Sequence, residues 1–431
     1  MRLVGGLDLS KVLNEVVDWR FKGFPPTDGR VTVDTIGAQG WNARGGDMLL
    51  PLVVLKESAL AHNIELMAAY ARAHNLSLAP HGKTPMAPQI VHRQLAAGAW
   101  GVTVANVPQA RVFRAFGAQR IFIANEIVES LAVRWLAAEM ERDPQFECYA
   151  LVDSLAGVAA LSGALGFVRH SARPLPVLLE IGAPAGRAGC RTAEEALAVA
   201  RAVRDTKTLD LAGAEAYEGA VPTPSTDERV KLVDRFLSQV RATASTLIAA
   251  GAFDGRSEIL LSAGSSLFVD RVVALLADPW PTSNPVRIVA RTGAYVSHDV
   301  DLYERLSPFA GRAVTTERMC PALELLAVVL SRPEPELAIV GFGKRDAPYD
   351  TRLPAPRWVW RKGHQLPFDG ATVKALNDQH AYLHLPPGAD LQVADLVGFD
   401  VSHPCTTFDK WRLLPLVDDE YNVTGGILTF F

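Results

Sequence analysis

Leu76-Ser77-Leu78-Ala79-Pro80-His81-Gly82-Lys83-Thr84 is a short apolar run that ends on a glycine, a lysine and a threonine. A stretch with apolar residues at helical spacing, 59–75, precedes it. The same alternation then repeats along the chain. Strands are expected at 76–80, 101–106, 120–125, 146–152, 176–181, 211–217, 258–262 and 286–291. Amphipathic segments separate them, such as 192–204, with Glu194 and Glu195 in its first turn, and 227–250. Strands alternating with helices imply right-handed βαβ units and a parallel sheet. Eight units in roughly 250 residues is the count of a (β/α)8 TIM barrel. The fold class is therefore α/β, with a barrel expected over 46–305. An open doubly wound sheet is the alternative, but no G-x-G-x-x-G opens the first strand–helix turn.

After about residue 300 the helical periodicity fades. Strand-like runs at 323–330, 336–340, 381–385 and 413–417 stand between turns such as Arg332-Pro333-Glu334-Pro335 and Pro386-Pro387-Gly388. They predict a mostly antiparallel β domain over 306–431. The Gly-rich segment 1–45 has no barrel unit and is expected to join that β domain or wrap the barrel.

Of 431 residues, 49% are hydrophobic and 21% charged, an ordinary globular composition. The net charge of −4 comes from 43 basic and 47 acidic residues without a basic run, so neither nucleic acid nor an anionic membrane is expected as a partner. Residues 1–14 lack a secretory signal pattern, and the longest apolar stretches, such as 49–55, are too short to span a bilayer. Cys148, Cys190, Cys320 and Cys405 form no C-x-x-C pair, so a reducing cytoplasm is the simplest setting. Cys148 and Cys320 are expected to be small buried hydrophobes.

Lys83 stands just past the first barrel strand, where barrels place catalytic groups. Its amine could form an imine with an aldehyde once burial and nearby cations favour the neutral form. A surface loop lysine is the competing reading. After strand seven comes Ser262-Ala263-Gly264-Ser265-Ser266, and after strand eight Arg291-Thr292-Gly293-Ala294-Tyr295. Barrels frequently hold a phosphate between these two loops, with glycine admitting the anion and N–H groups satisfying it. Gly264, Ser265, Ser266, Gly293 and Tyr295 are thus candidate cofactor contacts, although either loop alone could simply turn the chain. Tyr217, in Tyr217-Glu218-Gly219 after strand six, could contact a cofactor ring. Arg187, in Gly186-Arg187-Ala188-Gly189 after strand five, could pair with a cofactor oxygen or a substrate carboxylate.

In Ser402-His403-Pro404-Cys405, Pro404 biases His403 towards extended geometry, so that imidazole and thiolate project to one side and could converge on Zn2+. A core histidine beside a buried cysteine is the alternative. His380 either supports a metal or caps a turn. His298-Asp299 is read as structural.

At these residues the sequence resembles the D-serine dehydratase and D-threonine aldolase family, of the alanine-racemase-like class of pyridoxal phosphate (PLP) enzymes called fold type III. The resemblance covers about 45–420. Pro80-His81-Gly82-Lys83-Thr84 is similar to the family's lysine motif, although Pro85-Met86 stands where the family usually continues His-Lys. Gly186-Arg187-Ala188-Gly189 resembles its Arg-x-Gly motif, and the two loops above resemble its phosphate loops. The aldolase branch tends to carry His-x-Asp at the metal and the dehydratase branch His-x-Cys, so His403 and Cys405 favour the dehydratase. The resemblance implies PLP on Lys83, Zn2+, a small D-amino acid substrate such as D-serine, and a head-to-tail homodimer. Lys83 would remove the α-proton, and the metal would help the β-hydroxyl depart, giving a 2-keto acid and ammonia. A D-threonine-type aldolase, an amino-acid racemase and a non-catalytic PLP carrier remain alternatives.

Overall fold

The computed structural model describes residues 6–27, 29–166, 173–222, 226–312 and 314–431. Residues 1–5, part of the segment read for a signal, lie outside the described residues. The chain divides into two compact units, one of Met1–Leu7, Met67–Lys83 and Val91–Gly293, the other of Asp8–Leu66, Thr84–Ile90 and Ala294–Phe431.

Among the described residues, the first unit holds an eight-stranded parallel sheet. In chain order its strands are Ser77–Leu78, Val102–Val104, Arg120–Glu126, Glu147–Val152, Leu175–Ile181, Leu209–Ala216, Ile259–Ser262 and Val286–Ala290. All eight lie within a few residues of the expected positions. Strand one pairs with strand eight, Ser77 opposite Val289. It meets strand two through a parallel bridge between His81 and Thr103, with Trp100 N–H donating to Leu78 O at 2.6 Å and Thr103 N–H to Pro80 O at 2.9 Å. The sheet therefore closes on itself, and its strands read as apolar runs because both faces are covered. Phe122, Tyr149, Leu151, Leu178, Ala212 and Leu260, from strands three to seven, form one buried cluster, the packed filling that a barrel of this size requires.

The helices form for local reasons. Ala193–Arg204 starts at a capping box: Thr192 accepts from Glu195 N–H while the Glu195 carboxylate reaches back. Ala196, Val199, Ala200 and Val203 bury one stripe, and Arg201 and Arg204 sit favourably in the last turn. Losing the Thr192 hydroxyl would cost about 1 kcal/mol.

The second unit is built on a largely antiparallel sheet. Leu323–Glu334 pairs antiparallel with both Leu52–Lys56 and Leu396–Asp400, and Leu52–Lys56 also pairs parallel with Leu413–Val417. The apolar run at 49–55 thus contributes a central strand. Residues 8–66 belong to this unit, which includes the 3-10 helix Val33–Gln39 with Val33 and Ile36 buried. Gly37 lies so close to the strand Val423–Leu428 that a Cβ would stand 2.4 Å from Thr424 O. Glu324, buried at the sheet centre, accepts from Trp358 Nε1 at 2.8 Å and pairs with Lys56 at 3.1 Å. Cys148 and Cys190 are buried, but Cys320 is exposed, against expectation. Asn63 holds the Cys320 main chain through both its N–H and C=O at 2.8 Å, which turns the side chain outward. Among the described residues no helix is long and apolar enough to cross a membrane.

Candidate active site

The end of barrel strand one is held from both sides. His81 N–H donates to Thr292 O at 3.1 Å and Gly82 N–H to Thr103 O at 2.7 Å. Gly82 has to be glycine, because a Cβ there would lie 2.7 Å from the buried Phe113 ring. These contacts fix the backbone that presents Lys83. The His81 imidazole is pushed well below the ordinary histidine range, first by burial and then by the charges of Lys83, Arg291 and Arg187. It is therefore neutral at physiological pH.

Arg187 and Tyr217, singled out separately in the sequence, come together: the guanidinium lies 5.0 Å from the centre of the Tyr217 ring. The loop under Arg187 is organised by Arg191, whose guanidinium donates to the carbonyls of Gly186, Arg187, Ala188 and Gly189 at 2.6–3.2 Å. Asp153 accepts from Gly189 N–H at 3.1 Å.

After strand seven, Gly264 has φ +107°, a conformation that L side chains rarely adopt. Its N–H and that of Ser265 both point at the Glu218 carboxylate, at 3.1 and 2.5 Å. Ser266 Oγ accepts from Gly293 N–H at 3.2 Å, and a Cβ on Gly293 would lie 2.7 Å from His81 O. Among the described residues, Ser265 Oγ and Thr292 Oγ1 are buried with no hydrogen-bond partner. Two convergent N–H groups, two unsatisfied hydroxyls and a bare glycine fit an oxygen-rich anion such as a phosphate ester. Tyr295 is 2% exposed, in a one-turn helix at the start of the third segment of the second unit.

Three glutamates stand where the sequence reading had placed none. Glu215 is paired with Arg291, which also donates to Ser262 Oγ at 2.8 Å and Ala216 O at 3.1 Å. Burial raises the Glu215 pKa to about 7 despite Arg291 and Arg187. Burial, reinforced by Glu215 and Glu126, raises Glu180 to about 9. The available signal was a carboxylate inside an apolar strand, as in Leu178-Leu179-Glu180-Ile181.

In the second unit His403 is not extended. Its φ is +49° and Cys405 opens the short helix Cys405–Phe408. The extended geometry expected from Pro404 is overridden because Asp299 captures His403 N–H at 2.7 Å, while Pro404 itself adopts helical angles. His403 Nδ1 is hydrogen-bonded to Asp350, and Thr406 Oγ1 donates to the other Asp350 oxygen at 2.9 Å. Cys405 Sγ lies 3.2 Å from Thr84 Oγ1. The His403 pKa is raised to about 9 by its hydrogen bond with Cys405, against burial, with Asp350 adding to the rise. Imidazole and thiolate are donors that suit Zn2+. Among the described residues no group of three or more His, Cys, Asp or Glu is arranged to hold a metal, so the pair offers two protein ligands. His380 lies in an exposed turn, its carbonyl accepting from Asn377 N–H. Asp299 supports His403 and was not foreseen in that role.

Comparison with known proteins gives concordant results. Residues 55–257 match the alanine racemase N-terminal domain and residues 322–417 the putative serine dehydratase domain. The chain is 28% identical over 391 residues to a D-threonine aldolase of Arthrobacter sp., covering 90% of this chain and 91% of that one. Among solved structures it resembles D-threonine aldolase from Filomicrobium marinum, with a TM-score of 0.73, 24% identity and coverage of 89% and 95%. It also resembles a D-threo-3-hydroxyaspartate dehydratase solved as a histidine-to-alanine mutant, with a TM-score of 0.70, 21% identity and coverage of 91% and 97%. A cysteine-to-alanine mutant of such a dehydratase, altered two positions further along, is in the metal-free form (TM-score 0.68, 22% identity, coverage of 89% and 97%). With both domains in this order and a relative matched along nearly its whole length, the chain belongs to the alanine-racemase-like, fold type III family of PLP enzymes that includes the D-threonine aldolases and D-3-hydroxyaspartate dehydratases.

Proposed function

We propose that the protein is a PLP- and Zn2+-dependent dehydratase that converts D-serine, or a related D-3-hydroxy amino acid, to a 2-keto acid and ammonia. The observation that carries this reading is the His403–Cys405 pair, buttressed by Asp350 and by Thr84. The dehydratase relative has solved variants at a histidine and a cysteine with the same spacing, and its cysteine variant is metal-free.

Gly264, Ser265, Ser266 and Gly293 would hold the cofactor phosphate, Lys83 its aldehyde carbon, and Arg187 and Tyr217 the ring and its oxygen. Tyr295 belongs to the same proposed set. Bound PLP supplies an electron sink that lowers the cost of removing the α-proton. A Zn2+ on His403 and Cys405 supplies a Lewis acid for the substrate's β-hydroxyl. Lys83 Nζ takes the α-proton. Neutral His81 beside it adds no positive charge that would hinder the amine from accepting that proton. Thr84 is hydrogen-bonded to Cys405 within the second unit. A homodimer working in the cytoplasm belongs to this proposal. The exposed Val128, Leu131 and Leu155 of the first unit would suit a partner surface.

The second reading, a D-threonine-type aldolase, is favoured by the 28% identical relative. Incubation with D-serine, D-threonine and D-threo-3-hydroxyaspartate, scoring keto acid plus ammonia against glycine plus aldehyde, separates the two. Keto acid and ammonia are expected. Glycine and acetaldehyde from D-threonine, without keto acid from any substrate, would establish the aldolase instead.

A further inference from the structure

Glu218, 1% exposed, opens a one-turn helix directly after the sixth barrel strand. Both of its carboxylate oxygens are engaged by the strand-seven turn: Oε2 accepts from Gly264 N–H at 3.1 Å and Oε1 from Ser265 N–H at 2.5 Å. The left-handed Gly264 lets successive N–H groups face one way, the arrangement that grips anions. The cup therefore already contains an anion belonging to the chain. It is an imperfect occupant, because a carboxylate has two oxygens and Ser265 Oγ is left buried with no partner among the described residues. A phosphate ester has three terminal oxygens and could satisfy both N–H groups and the hydroxyl. It cannot share the cup with Glu218, since two anions at hydrogen-bond distance in a dehydrated pocket repel strongly.

We propose that Glu218 is an internal stand-in for the cofactor phosphate, which keeps the strand-seven turn formed in the empty protein and leaves when the phosphate enters. This rests on the reading of Gly264–Ser266 as the phosphate loop. Affinity for PLP is then set by competition with Glu218. The exchange also reaches the ring contacts, because Gly219 packs so tightly that a Cβ there would lie 2.6 Å from the Tyr217 ring. Displacing Glu218 therefore shifts Tyr217, on whose face Arg187 rests.

The test uses full-length protein stripped of cofactor, as wild type, Glu218→Gln, Glu218→Ala and Glu218→Asp. Each is titrated with PLP and with pyridoxal, which lacks the phosphate, following absorbance. Glu218→Gln should bind PLP at least tenfold more tightly than wild type and pyridoxal within twofold of it. Glu218→Asp, charged but one methylene shorter, should fall between. Inorganic phosphate should raise the melting temperature of Glu218→Ala more than that of wild type, a readout that stands if the glutamine variant folds poorly. PLP affinity that is unchanged or weaker in both neutral variants, with PLP still on Lys83, overturns the inference and leaves the proposed function standing. Failure of every form, wild type included, to take PLP overturns the proposed function itself.

Discussion

His403 is hydrogen-bonded through Nδ1 to Asp350, 53 residues earlier in the chain, and Asp350 is in turn held by Thr406. With Nδ1 engaged, Nε2 is the nitrogen that a metal shared with Cys405 would take. A carboxylate behind a ligating imidazole fixes its tautomer and direction. Asp350→Ala should therefore weaken zinc binding about 10- to 100-fold, read by competition with a chromogenic chelator, with PLP content unchanged. Zinc affinity equal to wild type would remove Asp350 from the site.

Metal chemistry should be separable from cofactor chemistry. His403→Ala and wild type treated with chelator should both keep PLP and lose dehydration, and added Zn2+ should restore only the chelated wild type. Cys405→Asp keeps an anionic ligand but a harder one. Metal should remain, dehydration should fall, and glycine and aldehyde should be sought among its products. Full D-serine dehydration by metal-free enzyme would sink the metal assignment.

Borohydride reduction followed by peptide mapping should place the pyridoxyl group on Lys83. Gly82→Ala should disturb the same point, because the new Cβ meets the Phe113 ring at 2.7 Å. Overpacking of this kind costs about 1–3 kcal/mol. The variant should melt lower and incorporate less PLP at Lys83. Label on a different lysine in wild type would overturn the assignment.

The cup after strand seven should reject a second negative charge. Ser265→Glu places a carboxylate among the N–H groups of Gly264 and Ser265, and PLP affinity should fall at least tenfold. Undiminished affinity would mean that the phosphate binds elsewhere.

Glu180 gives a pH signature. Its folded pKa, about 9, lies above the ordinary value of 4.5. The folded state therefore retains a proton that the unfolded chain releases, and its contribution to stability is present below pH 4.5 and lost as pH rises towards 9. Glu180→Gln removes this loss. The variant and wild type should diverge steadily from pH 5 to 9, with the variant melting higher at pH 9. Parallel profiles would show that Glu180 is ionised in the fold.

The barrel was readable because each parallel strand is a short, nearly continuous apolar run between amphipathic helices. Lys83, Arg187 and the two loops stood out as candidates because barrel chemistry gathers at strand ends. The β domain was only partly legible. The strand Leu52–Lys56 finds its partners near residues 323 and 413, and no local pattern announces pairing over that distance. The left-handed His403 depends on Asp299, more than a hundred residues away. Asp350 and Glu218 escaped notice for the same reason, since each matters only through a residue brought close by folding.

The bridge between His81 and Thr103 has a consequence for the order of assembly. Strand one must find both its neighbour in sequence and strand eight, the most distant strand in the barrel, before the backbone at Lys83 is set. Pairings of such long range form slowly. A nascent or half-assembled barrel thus has a lysine but no station for it, and cofactor capture at Lys83, as proposed above, would mark the moment the ring is complete. A ligand that recognises only the finished ring adds about 2.7 kcal/mol at a hundredfold excess over its dissociation constant. Vitamin supply would then govern how much of this chain survives proteolysis as well as how much of it is active.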